Sequence, residues 1–110
     1  MMRMPLSDAA SALLRALLTR AGVSRDRILL SEFRSTDWQS LIFIGERHHI
    51  HLRIPGPGAD AIVRRMTADL EDVEFAIPGH IVADILLAAP VRRDGDGSIS
   101  VELEALTIAD

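Results

Sequence analysis

Four residue types are absent from this chain of 110 residues. It contains no cysteine, lysine, tyrosine or asparagine, and arginine supplies all twelve of its permanently cationic side chains. The absence of cysteine excludes disulfide bonds and thiolate metal ligands. The absence of lysine and tyrosine excludes a Schiff-base lysine, a P-loop lysine and a tyrosine general acid. Histidine, aspartate, glutamate, serine, threonine and arginine remain as candidates for catalysis.

Long apolar runs are also missing. No run approaches the roughly 20 residues that a bilayer-spanning helix needs, and the first ten residues, MMRMPLSDAA, lack the apolar block of a signal peptide. We therefore expect no membrane partner and a cytoplasmic location in a bacterial-type protein. The composition, 48% hydrophobic and 25% charged, is that of an ordinary globular chain. The length suits a single domain over residues 1–110.

Charge is unevenly distributed along the chain, whose net charge is −4. Residues 1–57 carry eight arginines and five acidic residues, whereas residues 58–110 carry four arginines and eleven acidic residues. The negative total disfavours a nucleic-acid partner, and the asymmetry could support an anion-binding patch or self-association. The charge asymmetry would not appear on the folded surface if strands from both halves of the chain alternate in one sheet, and we favour that interpretation.

Two amphipathic helices are predicted. Leucines and alanines at helical spacing indicate a helix over Ser7–Ala21, with Ser7 as its N-cap. Gly22 suits the left-handed position that follows a last helical turn. The Pro-Gly-Pro-Gly sequence of residues 55–58 then breaks the chain before a second helix over Ala59–Glu71.

Strand patterns fill the remaining chain. A first strand is predicted near Ile28–Arg34, and a hairpin over Trp38–Ile54 is predicted to turn at Gly45-Glu46. Residues 73–77, 80–91 and 98–108 are predicted as three further strands. Residues 80–91 also fit a helix, but turn signals bound them and β-branched residues begin them, so we favour a strand.

The predicted element order is α-β-β-β-α-β-β-β. Short strands joined by turns, together with two amphipathic helices, predict an α+β domain. We expect an antiparallel sheet of five to six strands with both helices on one face. Each half of the chain follows the order αβββ, but no residue-level repeat supports a duplication.

One predicted strand carries a candidate ligand-binding site. Side chains alternate faces along a strand, so Arg47, His49, His51 and Arg53 should project together at intervals of roughly 7 Å. Two guanidiniums beside two imidazoles suit an anion such as a phosphate or carboxylate. The same guanidiniums disfavour a divalent metal, and we predict no metal, no cofactor and no catalytic residue. His48 falls on the opposite, apolar face and is predicted to be a core histidine.

The chain has more apolar strand residues than two helices can cover, which suggests an interface with another chain. Trp38, Ile42 and Ile44 are predicted to share the face that carries the arginines and histidines. Residues 80–91 are apolar on both faces, so part of the sheet should be covered by another chain. We therefore expect a non-catalytic protein-interaction or accessory module that forms a homodimer. The alternative is a binding protein or enzyme for an anionic small ligand.

Overall fold

Two helices pack on one face of a six-stranded antiparallel sheet in the computed structural model, which describes residues 6–110. The α+β class and the predicted arrangement of helices and sheet are therefore confirmed. The helices are α1 (Asp8–Ala21) and α2 (Ala59–Thr67). Single 3₁₀ turns follow them at Arg25–Arg27 and Leu70–Asp72. The Ser7 hydroxyl accepts the Ala10 N–H at 3.1 Å and caps α1 as predicted.

The two longest pairings of the sheet both involve its second strand in chain order. The strands of the sheet are β1 (Leu29–Gln39), β2 (Ile44–Ile54), β3 (Ala76–Ile77), β4 (His80–Leu87), β5 (Arg92–Arg93) and β6 (Ile99–Ala109). They lie in the order β1-β2-β6-β4-β3, and β5 pairs with the start of β6. Residues 80–87 are thus a strand, as predicted, although the strand ends before residue 91.

The predicted hairpin turn is wrong, and the error merges two predicted strands into one. The chain turns at residues 40–43, not at Gly45-Glu46, so two eleven-residue strands precede α2 where three shorter ones were predicted. The Ser40 N–H donates to the Phe43 carbonyl at 2.8 Å, and the Phe43 N–H donates to the Ser40 hydroxyl at 3.1 Å. These two bonds close the turn without a glycine.

Gly45 lies inside β2, where it serves close packing. A Cβ atom at this position would collide with the carbonyl oxygen of Thr107 on β6. Its φ angle is not in the left-handed region, so the glycine is needed for space and not for a turn. The sequence pattern alone does not separate these two uses of glycine.

The core lies between the helices and one face of the central strands. Alternate residues of β2 and β6 point toward the helices because side chains alternate faces along a strand. Leu13 and Leu17 of α1 and Met66 of α2 are fully buried against them. The buried strand residues of this cluster are Ile50, Leu52 and Ile54 of β2, Ile85 of β4, and Ile99, Val101, Leu103 and Ala105 of β6.

His48 is a buried polar residue on this face, as is its hydrogen-bond partner Thr107. The Ser35 Oγ lies 2.8 Å from its Nδ1, and the Thr107 Oγ1 lies 2.8 Å from its Nε2. Phe33 packs edge-on against the ring at 5.7 Å between centroids. Two hydroxyls can satisfy one donor and one acceptor nitrogen, so the neutral imidazole is fully paired. His48 is therefore a core histidine, as predicted, and burial lowers its pKa below 6.5.

The close approach at Gly45 predicts a large effect of one methyl group. Gly45→Ala should destabilise the protein by about 2 kcal/mol or more, because the β2–β6 backbone must move to admit the Cβ. Gly95→Ala is the matched control, since a Cβ there meets no atom within 4 Å. Urea denaturation of both variants measures the difference. Equal midpoints for the two variants would contradict the tight β2–β6 contact.

Stability should fall as the pH drops below 6.5, in part because of His48. The folded-state pKa of His48 is lowered from 6.5, so the unfolded chain binds this proton first. The contribution of His48 is therefore favourable above pH 6.5 and is lost as the pH falls toward its folded-state pKa. Urea denaturation between pH 5 and 8 measures the free energy of unfolding. His48→Gln should flatten the profile, and an unchanged profile in this variant would contradict the assignment.

Candidate functional site

The predicted ligand-binding side chains lie together on the open face of the sheet, which we define as the face opposite the helices. Arg47, His49, His51 and Arg53 occupy alternate positions of β2. The buried residues between them fix this alternation, so it survives the shift of the hairpin turn. The predicted grouping on one strand face is therefore present in the structure.

Carboxylates from the neighbouring strands surround the two histidines. His49 Nε2 lies 3.7 Å from a Glu32 oxygen, and its Nδ1 lies 4.0 Å from a Glu104 oxygen. His51 is opposite Glu32 on β1 and Glu102 on β6. Arg34 Nε lies 3.2 Å from the Glu32 carboxylate. The open face therefore carries interleaved charges of both signs, which is less suited to a small anion than arginines and histidines alone.

Arg53 is engaged by the turn that leads into β6. Its Nε donates to the Ser98 hydroxyl at 2.9 Å, and its terminal nitrogen donates to the Asp96 carboxylate. The Ser98 side chain holds the pKa of Asp96 below its usual value, as does the Ser100 hydroxyl for Asp94. Arg53 therefore has a structural role at this turn, which leaves Arg47 as the exposed arginine of the predicted group.

His51 carries an unpaired buried atom. Its Nε2 has no hydrogen-bond partner among residues 6–110, and it is the only buried side-chain nitrogen or oxygen there of which this is true. A buried polar atom without a partner costs roughly 1–3 kcal/mol. Within the same residues, no group of three histidine, aspartate or glutamate side chains is placed to hold a metal ion. His51 is thus the one polar position on the open face, within the described residues, whose buried nitrogen lacks a hydrogen bond.

Apolar residues occupy the end of the open face nearest the hairpin turn. Trp38 of β1 lies on this face, in line with Gly45 of β2, Ile108 of β6 and Ile81 of β4. Trp38 and Ile108 are half-buried, and Ile81 is exposed. An aromatic residue among aliphatic neighbours at the end of a sheet is a composition typical of interface centres.

The three predicted interface residues do not share one face. Trp38 lies on the open face as predicted, but Ile44 pairs with Gln39 and belongs to the opposite face. Ile42 lies in the turn at residues 40–43, outside both strands. The shared face was predicted from a turn at Gly45-Glu46, and it is lost because the turn lies earlier. All three residues nevertheless lie at the same end of the sheet.

The hairpin tip, residues 41–44, is the most exposed apolar segment of the described chain. Leu41 is fully exposed, and Ile42 is 80% exposed. Phe43 and Ile44 complete four consecutive exposed apolar residues. Within residues 6–110, nine large hydrophobic side chains are exposed, and six of them lie between positions 29 and 44. Exposed apolar surface is therefore concentrated on the hairpin.

Sequence reasoning missed both the hairpin tip and the carboxylates beside the histidines. Leu41, Ile42 and Phe43 are strong strand formers, so their pattern indicates a strand interior and not a turn. The sequence did contain one sign of the exposed tip. Four consecutive apolar residues follow Ser40, and because such a run does not alternate between faces, it need not lie within a strand that has one buried face. Glu102 and Glu104 lie about fifty residues away in the chain, and only the β2–β6 register brings them near His49 and His51.

Comparisons with known proteins do not assign this chain to a family. Neither the family models, the curated proteins nor the solved structures contain a match to this chain. Within residues 6–110, neither helix has the length and hydrophobicity needed to cross a bilayer.

Proposed function

We propose that this chain is a non-catalytic protein-interaction module that self-associates through its hairpin tip and the adjoining edge of the sheet. The observation that carries the proposal is the run of four exposed apolar residues at the tip. Exposed runs of three or four apolar residues reduce solubility unless a partner covers them.

Turn chemistry supports a functional reason for the tip. Hairpin turns favour glycine, asparagine, aspartate and serine, which provide unusual backbone angles or local hydrogen bonds. Of the four turn residues 40–43, only Ser40 is of this kind, and its hydroxyl accepts the Phe43 N–H. The two hydrogen bonds that close the turn join Ser40 and Phe43 and involve neither Leu41 nor Ile42. Departures from local rules that bring no local gain concentrate at functional positions.

Self-association accounts for two surfaces at once. The tip is exposed at one end of the hairpin, and Leu29 and Leu30 are exposed at the other end. A second copy presents the same two patches, so a twofold arrangement can cover both without a further protein. Covering one aliphatic side chain contributes about 1.5–3 kcal/mol, and several such side chains are available.

Removal of the apolar tip should weaken association. The double variant Leu41→Ser, Ile42→Ser should raise the dissociation constant of the dimer at least about tenfold, because two exposed side chains lose their cover. Light scattering coupled to gel filtration gives the mass in solution, and Trp38 fluorescence reports independently at the interface. Both substitutions lie on the surface, so the thermal unfolding of the monomer should change little.

Val91→Ser is the matched control for the tip variant. Val91 is also exposed and aliphatic but lies beyond β4, away from the hairpin. We expect it to keep the dissociation constant of the unaltered protein. A single-chain mass of the unaltered protein at about 100 μM would overturn the proposal, since association would then be weaker than about 5 kcal/mol.

A second function is favoured by the unpaired Nε2 of His51. The carboxylate or phosphate group of a small ligand could accept a hydrogen bond from this nitrogen, with Arg47 on the same strand face as a second donor. Ligand binding requires the side chains of Arg47 and His51 but does not require the hairpin tip. The two functions therefore make separable predictions.

Thermal shift separates the ligand-binding function from self-association. If an anion binds at His51, phosphate or citrate should raise the melting temperature of the protein, and His51→Leu should abolish the rise. His80→Leu is the control, because His80 lies near the other end of the sheet and its Nδ1 is paired with the Pro78 carbonyl. A rise that persists in His51→Leu, or no rise with either anion, would count against this function.

A further inference from the structure

The outer edge of β1 is open along its whole length. Among residues 6–110, β1 pairs with β2 alone, so its other side presents unpaired backbone groups over Leu29–Gln39. The opposite edge of the sheet is partly closed, since β3 pairs with His80 and Ile81 and the 3₁₀ turn at Leu70–Asp72 lies against β4. A long open edge is a template for pairing with another strand.

We propose that two copies of this chain pair through β1 in antiparallel orientation, with Thr36 on the twofold axis. The two sheets then form one continuous twelve-stranded sheet. This inference rests on the proposed self-association and specifies its geometry. The occupant of the open edge is thus a second copy of the same strand.

The distribution of apolar residues along the hairpin edge is self-complementary. Leu29 and Leu30 are exposed at the start of β1, and Leu41 and Ile42 are exposed just beyond its end. The residues between them are mostly polar. Antiparallel pairing places the start of one strand beside the end of the other. It therefore covers the apolar patch at each end with the apolar patch of the second copy, whereas parallel pairing would leave the two patches apart.

The β-bulge in β1 restricts the register. The register of β1 against β2 shifts between Leu30 and Glu32, so the strand is regular only over residues 32–39. A twofold axis between antiparallel strands is perpendicular to the sheet, so each residue meets a residue of the same face. An axis through Ser35 or Thr36 meets this condition and keeps the central pairs within the regular segment.

The side chains favour the axis through Thr36. In this register Arg34 lies opposite Trp38 of the second copy on the open face, where a cation–π contact can form. On the other face Ser35 lies opposite Asp37, so its hydroxyl can donate to the carboxylate. An axis through Ser35 would instead place Asp37 opposite Phe33 and Glu32 opposite Trp38. The axis through Thr36 also brings the turn that carries Ile42 to the end of the second copy's β1 that carries Leu29 and Leu30, which joins the apolar patches described above.

Single cysteines test this geometry directly, because the chain contains none of its own. Thr36→Cys should form a disulfide-linked dimer in a glutathione redox buffer, since residues facing each other across antiparallel strands have Cα atoms about 4.5–5.5 Å apart. Ile42→Cys should not, because Ile42 lies beyond the end of β1 in each copy, and the six residues of strand between the two strand ends alone span about 20 Å. Thr19→Cys, an exposed threonine on α1, is the matched control and should stay unlinked.

Hydrogen–deuterium exchange of the unaltered protein provides a second measurement without substitution. Amides of residues 32–39 should exchange more slowly at concentrations where the dimer forms than after dilution to the monomer. A dimer that links through Ile42→Cys, or that leaves residues 32–39 unprotected, would overturn edge pairing while the proposed self-association stands. A single-chain mass at all concentrations would overturn both.

Discussion

The antiparallel pairing of β2 with β6 is the constraint on which the other features depend. Ten consecutive residue pairs, from Gly45 with Ile108 to Ile54 with Ile99, hold the two central strands together. Because side chains alternate faces, this one register decides which residues enter the core and which reach the open face. It places His48 opposite Ala105 and within hydrogen-bond distance of Thr107 in the core, and it places His49 opposite Glu104 on the open face. The core and the candidate site are thus two sides of the same ladder.

The part of the fold that depends on local patterns could be predicted from the sequence. Helix α1 has both a periodic apolar stripe and capping residues at each end, and the structure places it within one residue of the predicted bounds. The alternation of β2 was also predictable, since a strand with one buried face has period two. The turn at residues 40–43 was not predictable in this way. Gly45 has the identity of a turn residue, but its role depends on a carbonyl of β6 more than sixty residues away.

The candidate site also has one feature that the sequence predicts and one that it does not. The grouping of Arg47, His49, His51 and Arg53 follows from one strand alone, so the sequence was sufficient for it. The electrostatic character of that group depends on Glu32, Glu102 and Asp96, which arrive from β1, β6 and a turn. No local pattern contains that information. Residue types within one strand thus predict which side chains lie together, and strand register then determines which charges they meet.

The hairpin tip connects to a strand that is hydrogen-bonded to a neighbour on each side. One of its two flanking strands, β2, is paired on both sides almost to the turn, and the Ser40 hydroxyl closes the turn itself. A segment already held in one conformation loses little conformational entropy when a partner covers it. More of the free energy from burying its apolar side chains is then available as affinity. A small contact area at the tip can therefore support tighter binding than the same residues would on a flexible loop, and the association rate needs no folding step.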